Sequence, residues 1–243
     1  MDGELFTYDD EQVKEEGPVT CLGITFENDT KRREYFREEL RKKLPELRLI
    51  EGFPIGEDDD IIALSDPPYY TACPNPWIND FIKEWEAEKV KLQAEGKRKA
   101  DFEVKEPYAA DVSEGKNNPI YMAHSYHTKV PHTAIMRYIL HYTQPGDIVF
   151  DGFAGTGMTG VAAGMCEQGL SDVKRPKGVR RSICGDLSPI ASFITYNFNN
   201  PQDNKAFIQN FTLILCDSKH HWISLYDTKH NNGALGTISY VLR

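Results

Sequence analysis

Apolar positions fall at two spacings along the chain, and each change of spacing marks an element. From residue 31 to 44, Tyr35, Phe36, Leu40 and Leu44 stand at helical intervals among Arg, Glu and Lys. This predicts an amphipathic surface helix, capped by Asn28-Asp29-Thr30. Its charged face is expected to be solvated, with phosphate contact as the alternative. After an acidic loop at 57–60, Ile61-Ile62-Ala63-Leu64 is an unbroken apolar run, read as a short strand that ends at Asp66. Trp77, Ile78, Phe81, Ile82 and Trp85 then mark one face of a helix running to about Gln93. Residues 133–142 form another, with Ile135, Ile139 and Tyr142 inward.

Ile148-Val149-Phe150 reads as a buried strand after the Pro145-Gly146 break, and Asp151 ends it. The glycine loop Gly152-Phe153-Ala154-Gly155-Thr156-Gly157 and a small-residue helix follow. Residues 182–186 supply a second strand of a βαβ unit, and Pro189 opens its next helix. A helix at about 204–215 presents Phe207, Phe211 and Ile214 on one side. Beyond it, Trp222, Ser224 and Tyr226 alternate before the turn Asn231-Asn232-Gly233, which predicts a hairpin.

The residues before about Gly23 are polar and acidic without period, as in a flexible arm. Residues 94–114 are charged and irregular, as in a mobile linker or the remnant of a target-recognition segment. The expected division is therefore 1–55, arm and amphipathic helix; 56–115, apolar run and linker; 116–215, cofactor-binding core; and 216–243, a terminal hairpin.

Composition narrows the class. A hydrophobic share of 40% and a charged share of 27% are ordinary for a globular chain. No apolar run reaches membrane-spanning length and the start carries no secretory pattern, so cytoplasm is the default. The five cysteines are scattered without a Cys-x-x-Cys pair, which encodes neither a disulfide framework nor a zinc ribbon. A net charge of −9 opposes a nucleic-acid coat protein, yet permits an enzyme with a local basic patch. The most basic stretch holds Lys174, Arg175, Lys177, Arg180 and Arg181, which are the candidate phosphate contacts.

Chemistry concentrates in two segments. In the first, glycines let the backbone turn sharply and approach a ligand at a helix N-terminus. No Gly-Lys-Ser/Thr follows, so this is not a Walker loop, while Gly155, Gly157 and Gly160 leave dinucleotide binding open. Asp151 is placed to meet a cofactor or to order the loop amides. Asp186, at the second strand's end, is placed to accept from ribose hydroxyls. The second segment is Asp66-Pro67-Pro68-Tyr69. His124, His127 and His132 have no cysteine or acidic partner at a metal-site offset, so no metal is expected.

Together, Asp66-Pro67-Pro68-Tyr69 and the glycine loop resemble the amino-group DNA methyltransferases, which methylate adenine N6 or cytosine N4 using S-adenosylmethionine. Thr128-Lys129-Val130-Pro131 before the glycine strand is similar to a cofactor-binding segment of that family. The likeness covers roughly Ile61 to Phe198 and looks closest to large bacterial DNA methylases. It implies a Rossmann-like α/β fold, incomplete here, with a parallel sheet through 61–64, 148–150 and 182–186 and helices on both faces. It implies cofactor contacts from Asp151, Gly152, Phe153, Gly155, Thr156, Gly157, Asp186, Thr128 and Lys129. Asp66, Pro67, Pro68 and Tyr69 become the catalytic set, with adenine ahead of cytosine as target.

DNA is the implied partner, together with a restriction endonuclease or other defence-system subunit. The resemblance also leaves gaps. Between Tyr69 and Pro145 the three strands expected of the permuted group are not visible, so the chain reads as the front part of a longer methylase or as a reduced cofactor binder. A non-catalytic module of a restriction-modification assembly and a nicotinamide-dependent oxidoreductase stay as alternatives. The methylase reading requires Asp66 to face the mouth of the pocket bounded by residues 151–157.

Overall fold

The computed structural model describes residues 17–200, 207–214, 227–229 and 235–237. They divide at Asn199/Asn200 into two compact units.

In the first unit the described residues begin with a hairpin at 19–26, so the last part of the region expected as an arm is paired. β1 (Val19–Cys21) pairs antiparallel with β2 (Ile24–Phe26), Val19 opposite Phe26 and Cys21 opposite Ile24. The two-residue turn Leu22-Gly23 has φ of 49° and 77°, the left-handed pair that suits the twist of a tight hairpin. The earlier residues of the expected arm, 1–16, lie outside the described set. α1 (Asp29–Leu47) begins at Asn28, whose side chain accepts from the Lys31 amide at 2.9 Å. Its buried face is Arg32, Phe36, Leu40 and Leu44, four residues apart. Tyr35, expected on that face, is instead 42% exposed. The apolar stripe is thus headed by an arginine.

Residues 61–64 are not a strand. α2 (Asp58–Ala63) includes most of them, with Leu64 as its C-cap. The physical reason stands just upstream: Asp58, Asp59 and Asp60 occupy the first turn, where carboxylates are stabilised by the helix dipole. Ile61 and Ile62 still go inward, joining Cys21, Phe36, Leu40, Leu44 and Trp77 in one core. α3 (Ile78–Ala94) follows.

Residues 94–114 carry little regular structure but are tied down. Arg98 donates to the Pro145 carbonyl at 3.1 Å and to Asp147 at 2.7 Å, and Lys99 and Gln144 exchange two hydrogen bonds. Glu114 pairs with Arg137 at 2.7 Å. The segment is a docked strap, not a free linker.

A short helix, α4 (Pro119–Met122), leads to α5 (His132–Tyr142). Ile139 is buried, Ile135 half-buried, and Tyr142 exposed rather than inward. β3 (Ile148–Asp151), α6 (Met158–Met165) and β4 (Arg181–Cys184) form a βαβ unit. The strands are parallel, Ile148 opposite Arg181 and Asp151 opposite Cys184. Met136, Ile139 and Leu140 of α5 pack on Ala162, Ala163 and Cys166, a second core beneath the glycine loop. The small residues of α6 allow that close approach. Phe150, expected to be buried, is 74% exposed. α7 (Pro189–Asn199) closes the unit.

The fold is therefore mixed α/β, with a two-stranded parallel sheet among the described residues in place of the three-stranded sheet expected.

In the second unit, residues 207–214 are helical, and the rings of Phe207 and Phe211 stack 6.1 Å apart. β5 (Asp227–Lys229) and β6 (Leu235–Thr237) pair antiparallel, Asp227 opposite Thr237. Trp222, Ser224, Tyr226 and the Asn231-Asn232-Gly233 turn lie outside the described residues. No helix among the described residues is long and apolar enough to cross a membrane.

Candidate active site

Asp66 follows the C-cap of α2 by two residues and is 7% exposed. Its amide donates to the Tyr70 carbonyl and its carbonyl accepts from the Tyr70 amide, both at 3.0 Å. This pinches the intervening Pro67-Pro68-Tyr69 into a tight loop. Ser65 braces the loop from below, donating to the Ile61 carbonyl at 2.6 Å and accepting from the Ala72 amide at 2.9 Å. The Pro68 carbonyl accepts from Asn75 at 2.8 Å.

Arg32 reaches into this loop from α1. Its Nη1 donates to the Pro67 carbonyl at 2.8 Å, its Nη2 to Asp66 Oδ1 at 3.0 Å and its Nε to Asp29 at 2.6 Å. The guanidinium carbon also lies 4.9 Å from the centroid of the Tyr69 ring. Burial alone would favour the neutral form, but Asp29 and Asp66 more than offset it and raise the Arg32 pKa. Arg33 stands 3.5 Å from the other oxygen, Asp66 Oδ2.

That second oxygen accepts a hydrogen bond from the Tyr196 hydroxyl of α7. The Tyr196 ring stacks on Tyr70, 5.0 Å between centroids and 15° between planes. Burial, then the hydrogen bond to Asp66 and its charge, pushes the Tyr196 phenol pKa up. Tyr69 is half exposed and lies against Phe81, 5.7 Å away.

The glycine loop is built from backbone and two carboxylates. Asp151 accepts from the Phe153 amide at 3.1 Å and from Thr159 at 2.6 Å. Asp186 accepts from the Gly155 amide and from the Ser188 amide, each at 2.9 Å. Both acids thus order amides, and each retains further lone pairs for a ligand. Gly157 caps α6 at φ 81°, and a Cβ there would sit 2.6 Å from Asn199 and 3.0 Å from the Thr195 backbone. Thr156 is buried and bonded to His124 at 2.7 Å. Phe153 is 85% exposed and so not core, and Leu187, which follows Asp186, is 91% exposed.

α7 ties the two segments together. Thr195 donates to the Gly155 carbonyl at 2.9 Å, Asn199 to the Gly157 carbonyl at 3.1 Å, and Tyr196 to Asp66. Consecutive residues of one helix therefore hold the glycine loop and the Asp66 carboxylate. A cleft of about 480 Å³ lined by Tyr35, Trp77, Lys83 and Glu84 shares no residue with either segment.

The sequence matches the N6/N4 DNA methylase family over residues 26–168, more than half of the chain. The chain belongs to this family. No curated protein and no solved structure matches it. The DNA methylase match takes in Asp66 and the glycine loop, and it begins early enough to include α1.

Other candidate residues of this DNA methylase family member are distributed unevenly. Thr128 has φ of 65°, and Lys129 donates to the Tyr121 and His124 carbonyls. His124 in turn bonds Thr156, and the Tyr126 ring lies against Gly155, so this segment reaches the loop through two side chains. No cluster of three metal-ligating side chains occurs among the described residues. In the basic stretch, Lys174 and Lys177 are exposed. Arg180 is 1% exposed and donates to the Thr143, Pro176 and Gly178 carbonyls, which removes it from the phosphate-contact set. Arg181 pairs with Glu88 at 2.7 Å and Arg175 meets His141 at 3.2 Å.

Sequence reasoning missed Arg32 and Tyr196. Arg32 had a signal, since it lies four residues before Phe36 on the apolar stripe. Tyr196 had none, lying 130 residues from Asp66.

Proposed function

We propose that the chain transfers a methyl group from S-adenosylmethionine to an exocyclic amino group of a DNA base, adenine N6 ahead of cytosine N4. The observation that carries this is the bridge through α7, where Thr195 holds Gly155 and Tyr196 holds Asp66. A donor at the loop and an acceptor beside Asp66 would then be held from a single turn of one helix, as attack geometry requires.

The loop fits the cofactor's chemistry. Its shape depends on glycine: Gly155 and Gly157 have φ of 55° and 81°, and a Cβ would meet the Tyr126 ring at the first and Asn199 and Thr195 at the second. The α6 N-terminus offers amides without helical partners. Exposed Phe153 and Leu187 flank the two carboxylates with apolar surface suited to a flat base. S-adenosylmethionine, when bound, supplies an electrophilic methyl group.

The chain's own residues have a different task. An exocyclic amine is a poor nucleophile because its lone pair is delocalised into the ring. Acceptors on its N–H groups draw the nitrogen toward tetrahedral geometry. The Asp66 carboxylate and the Pro67 carbonyl are such acceptors, each with lone pairs left beyond those Arg32 and Tyr196 use. Proline at 67 and 68 removes backbone donors and stiffens the carbonyls' placement. Tyr69, half exposed, offers aromatic surface to a base taken out of its stack.

The test is tritiated-methyl transfer to unmodified DNA followed by nucleoside analysis. Asp66→Ala is expected to abolish transfer while calorimetric binding of S-adenosylmethionine persists. Transfer that survives this change overturns the role of Asp66. A second reading is a cofactor-binding module without transfer, favoured by the occupation of Asp66 and Pro67 by the chain's own donors. It expects cofactor binding by the unaltered chain with no methylated nucleoside. Binding of NAD in place of S-adenosylmethionine would point to neither.

A further inference from the structure

Buried arginines are uncommon and need a reason. Arg32 is 2% exposed, and its three donor positions are each spent on a different acceptor. Two of those acceptors, Asp66 Oδ1 and the Pro67 carbonyl, are the groups read above as drawing on the target amine. Its flat face covers the Tyr69 ring as well. One guanidinium therefore touches three successive features of the Asp-Pro-Pro-Tyr loop. The third acceptor, Asp29, sits in the first turn of the same helix and also holds Arg33 at 2.7 Å. The fork is thereby fixed from behind by α1 and aimed at the loop.

We propose that Arg32 is a positioning residue for methyl transfer: it locks the Asp66 carboxylate and the Pro67 carbonyl in one relative geometry, so that both can accept from a single amine. This rests on the methylase reading above. A planar fork with two parallel donors can hold two oxygens at a set separation, whereas an ammonium on a flexible stem is a point charge and cannot. The charge alone would be served by Lys; the geometry would not.

The experiment compares the unaltered chain with Arg32→Lys and Asp29→Asn in steady-state methyl transfer, with S-adenosylmethionine binding measured on each. Arg32→Lys is expected to lower kcat about 100-fold, the cost typical of a misplacement near 1 Å, while the cofactor KM and calorimetric Kd stay within about twofold. Asp29→Asn keeps Arg32 itself and loosens only its rear anchor. It is expected to lower kcat about 5-fold, a milder loss of the same kind, and it remains informative if Arg32→Lys fails to fold. Equal losses in kcat and cofactor affinity would mark Arg32 as a structural support and overturn the proposal, as would a kcat unchanged in either variant that folds. A chain that binds S-adenosylmethionine yet transfers nothing without any substitution would instead overturn the methylase reading and Arg32's role with it.

Discussion

The two halves of the candidate site are built by opposite means. Around Asp66, side chains from distant elements converge: Arg32 from α1 and Tyr196 from α7 both donate to one carboxylate. Around Gly155, two carboxylates, Asp151 and Asp186, gather backbone amides, and Thr195 and Asn199 of α7 brace the loop's carbonyls. The first is a charged corner with its donors already in place. The second is an open rim, with Phe153 and Leu187 left outside. A rigid acceptor next to an accessible cradle is a sensible division for a transfer between two ligands, since only one of them has to be held in a strict geometry by side chains.

If that contrast is right, backbone changes should hurt most at the loop. Gly157→Ala forces a side chain into left-handed backbone and against the Thr195 main chain, which cannot give way as a flexible side chain can. We expect a loss of about 2–4 kcal/mol from left-handed strain plus overpacking, with S-adenosylmethionine binding no longer detectable by calorimetry. Gly155→Ala meets only the Tyr126 ring at 3.0 Å and should cost about 1–2 kcal/mol. Equal effects at the two positions would show that α7 is not seated against the loop as described.

The basic stretch tests whether charge there serves DNA or the fold. Arg180→Ala strips donors from three carbonyls and should lower stability by about 2–3 kcal/mol, read from a denaturant midpoint. Lys174→Ala with Lys177→Ala should leave the midpoint unmoved, weaken DNA binding, and shrink its dependence on salt. A stable Arg180→Ala chain would return that residue to the candidate phosphate contacts.

What the sequence made legible follows the same divide. The βαβ unit and the loop could be read because their determinants are contiguous: glycines, strand residues and the opening of a helix within one short stretch. The Asp66 motif was legible as a motif, but its surroundings were not, because they are assembled by tertiary packing. The apolar run 61–64 misled for a local reason, since three aspartates upstream give it a helical start that hydrophobicity alone does not register. Arg32 was hidden by the habit of assigning every charge on an amphipathic helix to solvent, although its four-residue spacing from Phe36 puts it on the buried side.

A milder change addresses the charged corner. Tyr196→Phe keeps the ring stacked on Tyr70 and removes only the hydroxyl that donates to Asp66. A hydrogen bond to a charged acceptor contributes about 1.5–3 kcal/mol, so a loss toward the lower end of that range is expected in urea unfolding. Affinity for S-adenosylmethionine should not change, because Thr195 still holds the Gly155 carbonyl. A fall in cofactor affinity would mean that the two halves are energetically one site.

The smallest expected effect is a pH dependence confined to the loop half. No histidine occurs before residue 124, so nothing on the α1 to α3 side titrates as histidine does. On the loop side, His132 is 1% exposed, and no partner for its Nδ1 occurs among the described residues. Burial lowers its pKa, with Glu114 opposing; burial and then Lys129 lower that of His124. Below about pH 6.5 the unfolded chain takes up these protons while the folded chain still resists them. The unfolded state then binds more protons, so stability is full above that pH and falls as the solution is acidified toward the folded values. The slope should be a fraction of the roughly 1.4 kcal/mol per pH unit that one whole proton would give. Because α5 and α6 share a core, this loss should appear as weaker cofactor binding below about pH 6.5. His132→Leu should flatten part of the stability profile without altering it above neutrality. A profile unchanged by that substitution would mean that His132 takes its proton equally easily in both states, and that the core beneath the loop is less closed than its burial indicates.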